Sequence, residues 1–390
     1  MILLFLSGGL FLGWSLGAND AANIFGTAVG TKMVKFRTAA LVASVFVILG
    51  AVISGAGASH TLGKLGAVNA IGGAFMVALS AAFTVFWMTK LHLPVSTSQA
   101  VVGAIVGWNF FSKTQTDYNS LIKIVGTWVF SPILAAVFSA LLYILLKKIL
   151  KVWKLSVFRL DVYTRIALIV VGAFGAYSLG ANNIANVMGV FVPVSPFPDI
   201  VIGNFTISSV QQLFFLGAIA ISIGVFTYSY KVMKTVGTGV VKLTPQSALV
   251  VVLAESLVLF LFASKSLHDF LISHHLPALP LVPVSSSQLV VGAVLGIGII
   301  QGGRNIQFKT LGKIASGWVT TPIIAALITF VALFFLKNTF DIEVYKETPA
   351  VTQNEITINN DSSLHKVHEY KINEFCYLDD YSKNKMGEYK

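Results

Sequence analysis

Apolar residues run in blocks of about twenty, parted by short stretches that hold most of the lysine and arginine. The blocks are Ile2–Val29, Ala39–Ser59, Val68–Thr89, Val95–Phe111 and Leu121–Leu146. After a basic stretch they resume as Tyr163–Val192, Ile207–Tyr230, Ser247–Ser264, Val284–Ile300 and Leu311–Leu336. A helix of about 20 residues crosses the hydrocarbon of a bilayer. There the backbone must satisfy its own hydrogen bonds, as a helix does. The pattern therefore predicts an all-α polytopic membrane protein with ten crossings. Gly, Pro and polar clusters inside several blocks point to broken or hairpin helices, so the helical segments should number about 10–12. Composition agrees: 55% of the 390 residues are hydrophobic and 11% charged, against about 25% charged in soluble domains. No basic residue precedes Lys32, so the first block reads as a span and not as a cleaved signal, which needs a basic start.

Comparing the two sets of blocks shows three matches in the same order. Gly17–Gly26 (GANDAANIFG) matches Gly180–Gly189 (GANNIANVMG). Pro94–Gly107 (PVSTSQAVVGAIVG) matches Pro283–Gly296 (PVSSSQLVVGAVLG). Thr127–Pro132 (TWVFSP) matches Gly317–Pro322 (GWVTTP). These indicate a duplication. The expected organisation is a first repeat over 1–148, a basic linker over 149–160, a second repeat over 161–337 and a polar tail over 338–390. With Lys32, Lys35 and Arg37 placed in the cytoplasm, alternation puts Lys90, the Lys147–Arg165 cluster, Lys231, Lys234, Lys242, Arg304, Lys309 and Lys313 there too, as the positive-inside rule asks. Both termini then lie outside. An odd five crossings per half makes the repeat inverted, an arrangement typical of secondary transporters with a central site. Because the basic excess sits in short loops, it does not read as nucleic-acid binding; lipid is the expected surroundings. The last 54 residues hold 7 Lys against 10 Asp and Glu, and the single cysteine, Cys376, forms no intrachain disulfide.

Two motif pairs carry chemistry. Asn19, Asp20 and Asn23 lie inside an apolar run, where a carboxylate costs about 2.5–3.5 kcal/mol and calls for a cation or strong partner. Asn19 and Asn23 share a helix face. Gly17 and Ala18 would let the helix open and expose carbonyls. Hard oxygens without thiol or imidazole suit an alkali or alkaline-earth ion. The second copy offers Asn182, Asn183 and Asn186. The bland alternative is that Gly and Asn only serve tight helix packing. In the other pair, Pro and a run of hydroxyls mark a helix start. Thr97, Ser98 and Gln99, with Ser286, Ser287 and Gln288, would place donors and a partly positive helix end around a tetrahedral oxyanion. Plain N-capping needs one hydroxyl, not three and a Gln. Glu255 is the other acidic residue deep in a span, either a cation ligand or a proton site. Trp128, Pro132, Trp318 and Pro322 read as structural, with Thr127, Ser131, Thr320 and Thr321 as further candidates to line the site. His60, His92, His268, His274 and His275 fall in expected loops.

The duplicated GAND/GANN and PVS-(S/T)-SQ segments, in this order over Met1–Leu336, resemble the inorganic phosphate transporter (PiT) family. The resemblance implies symport of phosphate with sodium, or with protons as in some bacterial members. Sodium would be a transported ligand and not a cofactor, and no enzyme activity is implied. On that footing Thr97, Ser98, Gln99, Ser286, Ser287 and Gln288 hold phosphate. Asn19, Asp20, Asn23, Asn182, Asn183, Asn186 and Glu255 hold sodium, the one metal expected. Localisation would be the cell membrane, with homo-oligomerisation left open. The chain departs from the family pattern at Asn183, where an Asp is usual, and at Ala43–Val47, which lacks the family's second-span glutamate. Sulfate as substrate, proton coupling and an anion channel stand as alternatives.

Overall fold

The computed structural model describes residues 2–66, 68–90, 95–203, 205–236, 243–303 and 308–346. Pro94, His92, Asn204, Lys242, Arg304, Cys376 and the tail from Glu347 fall outside them, as do the side chains of Lys234 and Lys309.

The first set of blocks folds as α1 (Ile2–Gly30), α2 (Phe36–Ser54), α3 (Ala56–Gly66), α4 (Ile71–Lys90), α5 (Thr97–Ser112) and α6 (Tyr118–Trp153). The second gives α7 (Val157–Met188), α8 (Ser209–Thr227), α9 (Ser229–Val236), α10 (Pro245–Ala263), α11 (Lys265–Ser273), α12 (Ser286–Ile300) and α13 (Phe308–Phe340). A 3-10 turn, Gly189–Val194, extends α7. An exposed antiparallel hairpin, β1 (Ile200–Ile202) with β2 (Phe205–Ile207), precedes α8 and pairs Ile200 with Ile207. The ends follow local chemistry. A capping box between Ser208 and Gln211 opens α8, and Thr244 followed by Pro245 opens α10, both favoured starts. Lys113 in the left-handed region ends α5.

Eight of these helices are long and apolar enough to cross a membrane: α1, α2, α4, α6, α7, α8, α10 and α13. The protein is an all-α, multi-spanning membrane protein. The other two expected crossings differ from expectation. Val95–Phe111 and Val284–Ile300 contain short helices of 16 and 15 residues, because the chain before each is extended and buried, so the helix starts inside the protein. His60 and His268 belong to the short helices α3 and α11 and not to loops. Large apolar side chains line the outside, among them Leu41, Val45, Leu49 and Ile53 on α2 and Ile323, Leu327, Val331 and Phe334 on α13. An exposed apolar face of this extent belongs against lipid.

The packing is reciprocal. α1 lies along α8, and α7 along α2. α5 lies along α13, and α12 along α6. α4 packs on α1 and α13, while α10 packs on α7 and α6. Exchanging α1, α2, α4, α5 and α6 with α7, α8, α10, α12 and α13 returns the same set of neighbours. The closest approaches exchange as well: Gly17 abuts the backbone of Ile221 and Gly180 that of Val47, while Gly103 abuts Pro322 and Gly292 abuts Pro132. Small residues at such crossings let helix backbones meet where no hydrophobic effect drives them together. After α13 the chain turns at Asp341 and runs back over α4 and α5. Val344 is buried and its carbonyl accepts from Trp108 Nε1 at 2.9 Å, while Asn69 pairs twice with the Lys346 backbone.

Candidate functional site: a buried polar centre between α1, α5, α7 and α12

α1 and α7 run unbroken through their motifs. The expectation that Gly17 and Ala18 open the helix is therefore corrected. At Gly17 and Gly180 the missing side chain admits a neighbouring backbone, and the asparagines project from regular helix. At α5 and α12 the first hydroxyl of each triplet is the cap: Ser96 accepts from Gln99 N and Ser285 from Gln288 N, both at 3.3 Å. That leaves Thr97, Ser98, Ser286 and Ser287 for other partners, and all four are buried.

The four motif segments meet and are stitched crosswise. Asn183 Nδ2 donates to Asp20 Oδ2 at 3.1 Å, joining the two asparagine motifs. Asn19 Nδ2 donates to Asp20 Oδ1 at 3.2 Å, and its sequence mate Asn182 donates to Asn183 Oδ1 at 2.6 Å. Asn23 of the first half donates to Ser286 of the second at 3.2 Å; Asn186 of the second donates to Ser98 of the first at 2.8 Å. Asn182 clamps the extended segment before α12, donating to Val284 O at 2.8 Å and accepting from Val284 N at 3.0 Å. Ser98 donates to the same carbonyl at 3.1 Å.

Asp20 and Glu255 are the two carboxylates buried among the described residues. Glu255 is fully buried on α10, which packs against both α1 and α7. Neither of its carboxylate oxygens has a hydrogen-bond partner among the described residues, nor do Asn186 Oδ1, Thr97 Oγ1, Gln99 Oε1 and Gln288 Oε1. A buried polar group left unpaired costs about 1–3 kcal/mol, so such a cluster marks a place kept for a ligand. Among the described residues the centre holds no lysine or arginine. Its oxygens suit a hard cation, and its hydroxyls and helix N-termini suit an anion.

The centre is not sealed equally on its two sides. A narrow cleft lined by Trp14, Ser15, Asn19, Phe86, Lys90 and Tyr228 reaches the first-half motif. Asn19 and Asn23 are partly exposed, while Asn182, Asn183 and Asn186 are fully buried. All the sequence-predicted site residues of the four motifs are thus brought to one region, with Glu255 beside them. Sequence reading gave no role at the site to two groups: the indole nitrogens of Trp128 and Trp318, buried and without partners among the described residues.

A helical bundle with eight membrane-crossing helices and a buried core of amide, hydroxyl and carboxylate groups has the make-up of a membrane transporter. The model of the phosphate transporter family matches residues 16–329 and 276–362 of the chain. The chain belongs to that family, which comprises transporters and not enzymes. Among its relatives is a protein of Methanocaldococcus jannaschii named for a proposed phosphate permease activity, 26% identical over 322 residues, 82% of this chain and 93% of the other. One of the same kind from Thermococcus kodakarensis is 25% identical over 397 residues, covering 82% and 94%. The fold resembles a solved structure of a protein named as a sodium-dependent phosphate transporter, with a TM-score of 0.68 and 22% identity, covering 86% of this chain and 98% of that one. The protein is therefore a multi-pass membrane transporter of the phosphate class.

Proposed function

We propose that the protein is a secondary symporter that moves inorganic phosphate together with sodium, by alternating access of two inverted halves about the shared polar centre. The observation that carries this reading is the set of buried oxygens without partners among the described residues, Asn186 Oδ1 on α7 and both Glu255 oxygens on α10, a helix packed against α1 and α7. Phosphate cannot enter beside two buried carboxylates unless positive charge enters with it, since like charges at low dielectric repel strongly. In this reading Asn19, Asp20, Asn23, Asn182, Asn183, Asn186 and Glu255 hold sodium through oxygen. Thr97, Ser98, Gln99, Ser286, Ser287 and Gln288 hold phosphate through hydroxyl and amide donors at the starts of α5 and α12. The structural neighbour is by name sodium-dependent, and that dependence, said of the other protein, supports the choice of cation. The reciprocal packing of the two sets of helices supports a repeat that rocks about this centre. An Asp20→Asn variant should insert normally and lose sodium-driven phosphate uptake; undiminished uptake by that variant refutes the assignment.

Glu255 favours one second reading. A buried carboxylate with no partner among the described residues can carry a proton in place of a cation, which would make the driving ion H⁺. Replacing sodium by choline at fixed pH separates the two: uptake that persists and follows the pH gradient selects the proton. The cleft between α1, α4 and α9 lies on the Lys90 side, which the basic loops assign to the cytoplasm, with both termini outside the cell.

A further inference from the structure

Two pairs of helices share one register. α12 lies along α6 so that Gly292 abuts Pro132 and, one turn on, Gly296 abuts Ala136; Ser139 Oγ, further along α6, donates to Ala293 O at 2.7 Å. Both chains advance together by four residues. One turn back on each helix, Gln288 comes level with Trp128. The other half repeats this: Gly103 abuts Pro322 and Gly107 abuts Ala326, so one turn back Gln99 comes level with Trp318. Residues four apart share a helix face, and side chains on both helices lean toward the N-terminus. Each glutamine therefore stands on the stripe that faces its tryptophan.

These are also the groups left without partners. Gln99 and Gln288 are each 2% exposed. Gln99 Oε1, Gln288 Oε1, Trp128 Nε1 and Trp318 Nε1 are all buried with no hydrogen bond among the described residues. An indole N–H only donates and a carboxamide oxygen only accepts. Helix register thus sorts the four orphans into two donor–acceptor pairs, one in each half.

We propose that Trp128 and Trp318 are positioning residues of the phosphate site: by a turn of the side chains from the unbonded arrangement of this structure, each indole N–H takes the carboxamide oxygen of Gln288 and Gln99 respectively, turning the amide NH₂ inward to face the anion. The proposal rests on the reading of both glutamines as phosphate donors and adds what orients them. It also accounts for the third matched segment, TWVFSP and GWVTTP, which places a tryptophan four residues before a proline in both halves. A free carboxamide presents either end to the site. With its oxygen held, only donors point at phosphate.

The test is a double-mutant cycle on phosphate binding to the purified full chain in detergent with sodium present. Trp128→Phe and Gln288→Leu should each weaken binding about tenfold, the size of one lost hydrogen bond. The double variant should be no weaker than either single one. Effects that multiply, or a Trp128→Phe protein that binds as the wild type does, overturn the proposal; multiplication would mean that the indole meets the anion itself. The Trp318→Phe and Gln99→Leu pair should behave alike. A second measurement needs neither phosphate nor a tryptophan variant: on ¹⁵N-indole-labelled protein, Gln288→Leu should move one indole proton resonance upfield and Gln99→Leu another. Unmoved resonances overturn the pairing, whereas a wild type that binds no phosphate while the resonances move faults the functional reading and leaves the pairing standing.

Discussion

Adding one methyl group at Gly103 or Gly292 tests the packing that positions the phosphate motifs. An Ala Cβ at Gly103 would stand 2.6 Å from Pro322 Cα, and one at Gly292 would stand 2.8 Å from Pro132 Cα. Carbon atoms pack at about 3.5–4.0 Å, so each helix pair must part by about 1 Å, and the obstacle is backbone that no rotamer change can clear. Overpacking of this kind costs about 1–3 kcal/mol and sometimes more. Gly126 and Gly312 provide controls on the partner helices α6 and α13, since a Cβ there meets nothing within 4 Å. Those two substitutions should be neutral or gain up to about 1 kcal/mol of helix propensity. Thermal melting in detergent with all four Gly→Ala variants should thus divide them. Gly103→Ala and Gly292→Ala should melt several degrees lower, at about 2–4 °C per kcal/mol for domains of 150–250 residues, while Gly126→Ala and Gly312→Ala should not. Phosphate uptake should fall in the first two, because parting α5 from α13 or α12 from α6 moves Gln99 or Gln288. Four melting curves that coincide would refute the close packing of α5 on α13 and of α12 on α6.

Three further outcomes are expected. Asn183→Asp places a second carboxylate against Asp20, replacing a 3.1 Å hydrogen bond by repulsion; the sodium dependence of uptake should become steeper, and an unchanged dependence would remove Asn183 from the cation site. Trp108→Phe strips the Val344 carbonyl of its buried donor and should cost about 1–3 kcal/mol, read as a lower melting temperature with little change in the apparent KM for phosphate. With Cys376 replaced by Ser, a cysteine at Thr89, which lines the cleft, should react with a membrane-impermeant thiol reagent from the Lys90 side alone, and phosphate with sodium should slow that reaction; labelling from the opposite side would misplace the cleft.

The spans and the polar centre were legible because each leaves a mark in one dimension. Blocks of about twenty apolar residues announce membrane helices, and a carboxylate among them, as at Asp20 and Glu255, stands out at once. Duplication made the serine-rich and asparagine-rich segments visible, and the structure brings all four copies together. Four features were not legible, each for a physical reason. The short starts of α5 and α12 look like full crossings, since Val95 and Val284 are as apolar in an extended segment as in a helix. Gly17 read as a place to open a helix because sequence does not show that the Ile221 backbone lies against it. The level pairing of Trp128 with Gln288 depends on interhelical register, which no periodicity along one chain records. The run from Asp341 to Lys346 was hidden for a related reason: its hold on α4 and α5 comes through backbone groups and one buried valine.

Binding of phosphate and sodium to the same purified protein bears most directly on the shared centre. Equilibrium binding of labelled phosphate, measured across a series of sodium concentrations with choline making up the ionic strength, should tighten as sodium rises, and phosphate should tighten sodium binding by the same factor, as linkage demands. In Asp20→Asn that mutual effect should vanish. Phosphate affinity indifferent to sodium in the unaltered protein would contradict a centre in which anion and cation are held together.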